Sequence, residues 1–231
     1  MRTIVFSIVL ATLLVSAILV GASGFGSYTV LEQINIPASE LAKTSITWHP
    51  LSKAYSTDNL LIGIQPENIQ FNSTASEKKF VIEFAGTDSS THLDLAFFDT
   101  GVIDIVDTTS SGATKLADTS NSGVKWQNTK YIIVMFNGTT VKLLSDNGTV
   151  MATVTWSHMP SSISQIGASA GDKSVVSGNV VVAILSDPYL EMSNTVKSMM
   201  NIVIVLIGAI LGIAIPLIIM KTMLRSISKI F

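Results

Sequence analysis

Between residues 55 and 190 the chain is a succession of short runs rich in β-branched and aromatic residues, separated by turn residues. No stretch there carries the period of an amphipathic helix. Many short strands at close spacing leave two architectures open, a sandwich or a barrel. The runs predict strands at 60–64, 80–85, 92–98, 101–106, 131–136, 140–144, 149–156 and 180–185. Within 149–156, Val150, Ala152, Val154 and Trp156 fall on one face, while Thr149, Thr153 and Thr155 fall on the other. That period of two marks a half-buried strand. The polar stretch DTTSSGATKLADTSNSG, residues 107–123, predicts a loop or a loosely formed edge hairpin.

Two apolar stretches flank this middle. Arg2 is followed by a long uncharged run that ends in Gly21-Ala22-Ser23-Gly24. This is the layout of a secretory signal peptide cleaved before Phe25. The run is longer than the usual signal core, so an uncleaved signal-anchor helix stays open. A type IV pilin leader is not expected, because Arg2 is not accompanied by the glycine that such a leader places before its apolar run. At the other end, Met199 to Met220 are 22 uncharged residues. As a helix they would reach about 33 Å, enough to cross a hydrocarbon core of ~30 Å. Lys221, Arg225 and Lys229 follow at once, which favours a cytoplasmic tail and an external middle. Arg2 gives the same orientation. Gly208 and Gly212 form a Gly-x-x-x-Gly pair through which two such helices could approach closely, and Pro216 is expected to bend the helix. The expected organisation is a signal or anchor segment at 1–24, an extracellular β-domain at 25–192, a transmembrane helix at 199–220 and a basic tail at 221–231. Membrane lipid is then a partner.

Charge and cysteine content narrow the function classes. Residues 25–198 hold 10 Lys/Arg and 16 Asp/Glu, a net −6, which is the wrong sign for nucleic-acid binding. With no cysteine, a disulfide framework, a thiolate metal site and a cysteine nucleophile are excluded. His49, His92 and His158 are too scattered to suggest a metal site. No Gly-x-Ser-x-Gly elbow, phosphate loop or His-Glu-x-x-His helix is present. Asp94, Asp99, Asp104 and Asp107 in HLDLAFFDTGVIDIVD lack a glutamate pair at i, i+4 and read as solvent-facing or turn residues. A non-enzymatic role without a cofactor is expected.

Three Asn-x-Ser/Thr tripeptides, at Asn72, Asn137 and Asn147, are acceptors for N-linked glycan, and all lie in the expected external part. The last two are Asn-Gly pairs, which favour hairpin turns whose central residues need positive φ. Sugars stack on exposed rings, and Trp48, Trp126, Trp156, Tyr55 and Tyr131 are the aromatic candidates. Trp156 continues an apolar strand face and is expected in the core. Trp48, in the irregular ITWHPLSKAY, is the ring expected to be open to a ligand.

Trp126, the turn Asp146-Asn147-Gly148, the pair Ile166-Gly167 and Gly178-Asn179-Val180 occur in the order of a recurring strand-and-turn pattern. That pattern resembles the second half of a laminin-G-like or concanavalin-A-like sandwich, and residues 80–101 resemble its first-half strands. The resemblance covers about residues 65–186. It implies an all-β, antiparallel, jelly-roll-like sandwich with Trp126 buried and a carbohydrate or glycoprotein ligand. The E-x-D-x-E run of the glycan-cleaving members is absent. Binding members often hold one calcium at the rim, which would fall to Asp88, Asp94, Asp99 and Asp146. Sequons, few charges and no cysteine resemble an archaeal or archaeal-virus surface protein. The expected function is a membrane-anchored ectodomain for adhesion or recognition. The alternatives are an envelope, coat or spike subunit that forms homo-oligomers through its helix or ectodomain, and a glycan-active enzyme.

Overall fold

A computed structural model describes residues 25–170 and 173–186. The expected signal segment, the helix at 199–220 with Gly208 and Gly212, and the basic tail lie outside the described residues. Among those described, no helix is long and apolar enough to cross a membrane.

In the described residues twelve strands form two six-stranded antiparallel sheets. Sheet A contains, in spatial order, β1 (Thr29–Pro37), β12 (Val175–Ser186), β3 (Asp58–Phe71), β8 (Ile132–Asn137), β9 (Thr140–Ser145) and β10 (Val150–Thr155). Sheet B contains β2 (Thr47–Ser56), β11 (Ser162–Ser169), β4 (Lys79–Ala85), β5 (His92–Phe98), β6 (Ile103–Thr109) and β7 (Gly112–Asp118). A single turn of helix, α1 (Ala38–Leu41), joins β1 to the segment before β2 and buries Leu41. The architecture is the expected all-β sandwich. The stretch at 107–123 forms an edge hairpin, β6–β7. Strands β1 and β2 were not read from the sequence, and β11 entered only through the Ile166-Gly167 pair of the resemblance.

Period-two patterning sorts the side chains. Phe80, Ile82 and Phe84 of β4, with Leu93, Leu95 and Phe97 of β5, face Ile62, Ile64, Val134 and Phe136 of sheet A across one apolar core. Phe80 stacks on Phe97 with ring centroids 4.7 Å apart, and Trp126 stands edge-on to both. Trp126 Nε1 donates to the Phe98 carbonyl at 2.7 Å, so its one polar atom is satisfied within the core. It lies in a short 3-10 turn (Trp126–Asn128) leading into β8.

In β10 the alternation differs from expectation. A bulge between Val150 and Ala152 shifts the register, leaving Val150 52% exposed and turning Met151 into the core with Val154. The first Asn-Gly turn also differs. Asn137 pairs with Thr140, so the central residues are Gly138 and Thr139, and only Gly138 is left-handed, at φ +59°. In the second loop Gly148 takes the left-handed position at φ +82°.

The outer face of sheet A is divided along its strands. Near the start of β1 it is apolar: Leu61, Ile133, Ala183 and Leu185 form a second cluster closed by Phe25 and Tyr131. Phe25 lies on Gly63, where an added Cβ would meet the ring at 2.4 Å. Further along, the same face is polar, with Asn179 donating to Asn35 and Glu67. Thr29 pairs with Ser186, so the chain enters and leaves the sandwich at one end of sheet A.

Candidate functional site on the outer face of sheet B

Cross-strand register lines up one row of residues over the outer face of sheet B. Trp48 of β2 opposes Gly167 of β11, which opposes Glu83 of β4, then Asp94 of β5 and Val106 of β6. Beside it runs a second row of Gln165, Ala85, His92 and Thr108. Opposed residues of antiparallel strands share a face, so these nine residues form one continuous patch.

Gly167 makes the centre of the patch possible. A Cβ there would lie 2.7 Å from Ile46 Cγ2, 2.9 Å from Glu83 Oε2 and 2.9 Å from Trp48 Cζ3. The missing side chain lets Ile46 and the half-buried Trp48 close over the Glu83 carboxyl, which is 1% exposed. Trp48 also meets His92 edge to face, with centroids 5.6 Å apart. His92 Nδ1 lies 2.9 Å from the Ser89 carbonyl, an acceptor, so Nδ1 carries a proton. Its Nε2 is 3.3 Å from Asp94 Oδ1, and Thr108 Oγ1 donates to Asp94 Oδ2 at 2.7 Å.

Burial governs the acids. It pushes the Glu83 carboxyl up to about 8, helped by the neighbouring Asp94 charge and opposed by the bond that Ser169 Oγ donates to Oε1. Burial also raises Asp94, against the Thr108 hydrogen bond and the nearby His92. Among the described residues, Glu83 Oε2 and Asp94 Oδ1 are the buried side-chain polar atoms with no hydrogen-bond partner.

The other sequence candidates are dispersed. Asp88 accepts from Ser90 N in the β4–β5 loop, Asp99 pairs with Lys78 at 3.7 Å beyond β5, and Asp146 accepts from Lys130 N in the β9–β10 loop. The structure does not bring these together with Asp94. No group of three or more His, Asp or Glu that could hold a metal ion occurs among the described residues. The expectation that the 94–107 aspartates face solvent is corrected at two positions. Asp94 is half-buried on the outer face, and Asp107 is 5% exposed, accepting from Trp156 Nε1 at 2.8 Å and lying 2.7 Å from His158 Nδ1. A buried indole N–H needs an acceptor, and this one comes from the opposite sheet.

Asn137 and Asn147 lie on exposed turns. Asn72 is half-buried, its Oδ1 accepting from the backbone N and Oγ1 of Thr74. Tyr55 is tied to Glu32, and Trp126, Trp156 and Tyr131 are buried. Trp48 alone of the five aromatic candidates sits beside polar groups on an accessible sheet face. Glu83, His92, Thr108 and Ser169 escaped sequence reasoning. The available signal was Glu83 itself, a lone carboxylate in the apolar run FVIEFA.

No family model and no curated protein matches the sequence. Solved structures resemble it in architecture. A galectin of Caenorhabditis elegans is 14% identical with a TM-score of 0.42, over 67% of this chain and 96% of its own. A carbohydrate-binding module of Bacillus subtilis is 12% identical with a TM-score of 0.41, over 62% and 81%. A β-fructofuranosidase of Schwanniomyces occidentalis is 12% identical with a TM-score of 0.46, over 70% of this chain and 34% of the enzyme. At these values the likeness is one of β-sandwich layout.

Proposed function

We propose that this chain is a non-enzymatic recognition module, displayed from a membrane by its C-terminal apolar segment, that takes a hydroxyl-rich ligand such as a carbohydrate on the outer face of sheet B. The observation that carries this reading is Trp48. Its half-buried ring lies on a sheet face among Gln165, His92, Asp94 and Thr108, an apolar plane bordered by groups that can exchange hydrogen bonds with sugar hydroxyls. The uncharged run from Met199 to Met220, followed by Lys221, Arg225 and Lys229, supports the tether. The burial of Glu83 supports a binding role over hydrolysis. Glycoside cleavage needs a carboxyl acid that reaches the glycosidic oxygen, and Glu83 is sealed beneath Trp48 and Ile46.

A self-associating envelope subunit is the second reading, and one observation favours it. Three of the four sheet edges carry charges: Glu32 on β1, Lys53 on β2, and Lys115 with Asp118 on β7. Edge strand β10, Val-Met-Ala-Thr-Val-Thr, has none, and uncharged edges invite strand pairing.

The test is binding of the detergent-solubilised full chain to an immobilised glycan panel, with Trp48→Ala in parallel and light scattering on the same samples. The proposal expects selective binding that Trp48→Ala abolishes. Equal binding by the variant, or no binding from a chain that forms ordered oligomers, overturns it in favour of the envelope reading.

A further inference from the structure

The tripeptide Asn-Gly-Thr occurs at 137–139 and again at 147–149, and the fold treats the two copies differently. Asn137 ends β8 and pairs with Thr140, so Gly138 and Thr139 form the tip of the β8–β9 hairpin. All three residues of this copy are exposed, and a Cβ on Gly138 would meet nothing within 4 Å. Among the described residues, neither the Asn137 side chain nor the Gly138 N–H has a hydrogen-bond partner. The second copy is tied down. Asn147 Oδ1 accepts from Ser145 Oγ at 2.6 Å and from Thr149 N at 3.0 Å. The Gly148 N–H donates to the Ser145 carbonyl at 2.9 Å.

We propose that Asn137–Gly138 is a site of spontaneous covalent conversion, at which Asn137 becomes aspartate or isoaspartate with water as the co-reactant, while the turn around Asn147 keeps the second copy intact. An asparagine carries its own nucleophile in the next backbone nitrogen, and a bond from that nitrogen to Cγ closes a five-membered ring. Glycine in the second position leaves the approach unhindered, having no Cβ. Gly138 N attacks Asn137 Cγ, the amide C–N bond of the side chain breaks, and its nitrogen leaves as ammonia with the proton from Gly138 N. Water then opens the succinimide. Breaking the new Cγ–N bond gives aspartate, and breaking the original peptide C–N bond gives isoaspartate, whose main chain runs through Cβ. Both products carry a negative charge that asparagine lacks. At Asn147 the same attack requires Gly148 N–H to give up the Ser145 carbonyl, and Oδ1 to release both of its donors as Cγ swings round.

The product falls where the fold responds to it. Asn137 stands directly opposite Asp58 in the β3–β8 pairing, so a carboxylate there faces a like charge. The Thr139 carbonyl accepts from Trp156 N at 2.8 Å, which ties the hairpin tip to the start of the crossover from sheet A to sheet B. Isoaspartate lengthens the main chain between the Asp58 pairing and that carbonyl, and draws the carbonyl off Trp156. Conversion therefore loosens one end of sheet A as the protein ages, and it removes the Asn137 glycan acceptor in the same step. None of this chemistry involves the Trp48 face.

The experiment incubates the unglycosylated full chain in detergent and neutral buffer, and follows both tripeptides by digestion and peptide mass spectrometry. Isoaspartate is marked with an isoaspartyl methyltransferase. Each hydrogen bond that must first be given up slows the step by about 2- to 12-fold, so Asn137 is expected to convert at least about tenfold faster than Asn147. In urea the two rates should converge, because the two copies have the same sequence. Ser145→Ala, which removes one donor to Asn147 Oδ1, should speed Asn147 and leave Asn137 unchanged. No conversion at Asn137, equal rates in the folded chain, or a difference that persists in urea overturns the proposal, as does an Asn147 rate that Ser145→Ala leaves unmoved. The structural consequence is read separately. Asn137→Asp should lower the urea midpoint and Asp58→Asn added to it should restore the midpoint, whereas an Asn137→Asp chain as stable as wild type overturns the loosening.

Discussion

Replacing Glu83 by glutamine should make the protein more stable relative to wild type as pH rises, by an amount the structure sets. The folded-state carboxyl sits at about 8 against 4.5 for the ordinary group, a difference of about 3.5 units worth roughly 5 kcal/mol at ~1.4 kcal/mol per unit. A raised folded-state value means the native state holds the proton longer than the unfolded chain. Stability from Glu83 is therefore full below pH 4.5, falls by about 1.4 kcal/mol per pH unit above it, and is spent once pH passes 8. Glutamine at this position keeps the hydrogen bonds and has no proton to lose. The free-energy difference between variant and wild type should grow by about 5 kcal/mol from pH 4.5 to 8 and then level off, a large share of the 5–15 kcal/mol typical of a domain. Urea denaturation of both proteins in detergent, followed by tryptophan fluorescence across that range, measures it. Parallel pH profiles for the two proteins would refute the burial argument, whatever their absolute stabilities.

Phe25→Ala should cost about 3–5 kcal/mol in the same denaturation assay, because it uncovers the second apolar cluster over Gly63; a loss below ~1 kcal/mol would show that Phe25 does not close it. Asp107→Ala leaves the Trp156 indole N–H buried without an acceptor and should cost about 1–3 kcal/mol, whereas His158→Ala, at an exposed ring, should cost less. In a host that adds N-linked glycan, peptide mass spectrometry should find higher occupancy at Asn137 than at Asn72 and Asn147, whose side-chain oxygens are engaged with Thr74 and with Ser145 and Thr149; preferential use of Asn72 would contradict this.

The sandwich was legible because its central strands are apolar and rich in β-branched or aromatic residues. FVIEFA and HLDLAFF announce β4 and β5 to within a residue. The edge strands were harder to read for a physical reason. Strand β2, TWHPLSKAYS, is half-exposed, carries Pro50 and Lys53 and has no alternation to detect. Strand β7 is similarly polar, with four exposed residues at its start. The bulge in β10 could not be seen in a pattern that alternates cleanly without it. Of the site, Trp48 was legible as a ring outside any core pattern. The acids beneath it were not, because Glu83 and Asp94 are 11 residues apart and become neighbours only through the β4–β5 register. Asp107 was misread for the same reason, since its indole partner comes from 49 residues away.

The central claim is that the Trp48 face binds ligand, and the direct measurement is the 19F spectrum of the detergent-solubilised full chain, labelled with 5-fluorotryptophan and with its three signals distinguished by substitution, during titration with the glycan that binds best on the panel. The account predicts a saturable shift of the Trp48 signal while the signals of Trp126 and Trp156, both buried in the core, stay in place. A saturable shift confined to the other two, or bound glycan with all three signals unmoved, would put the ligand elsewhere and contradict it.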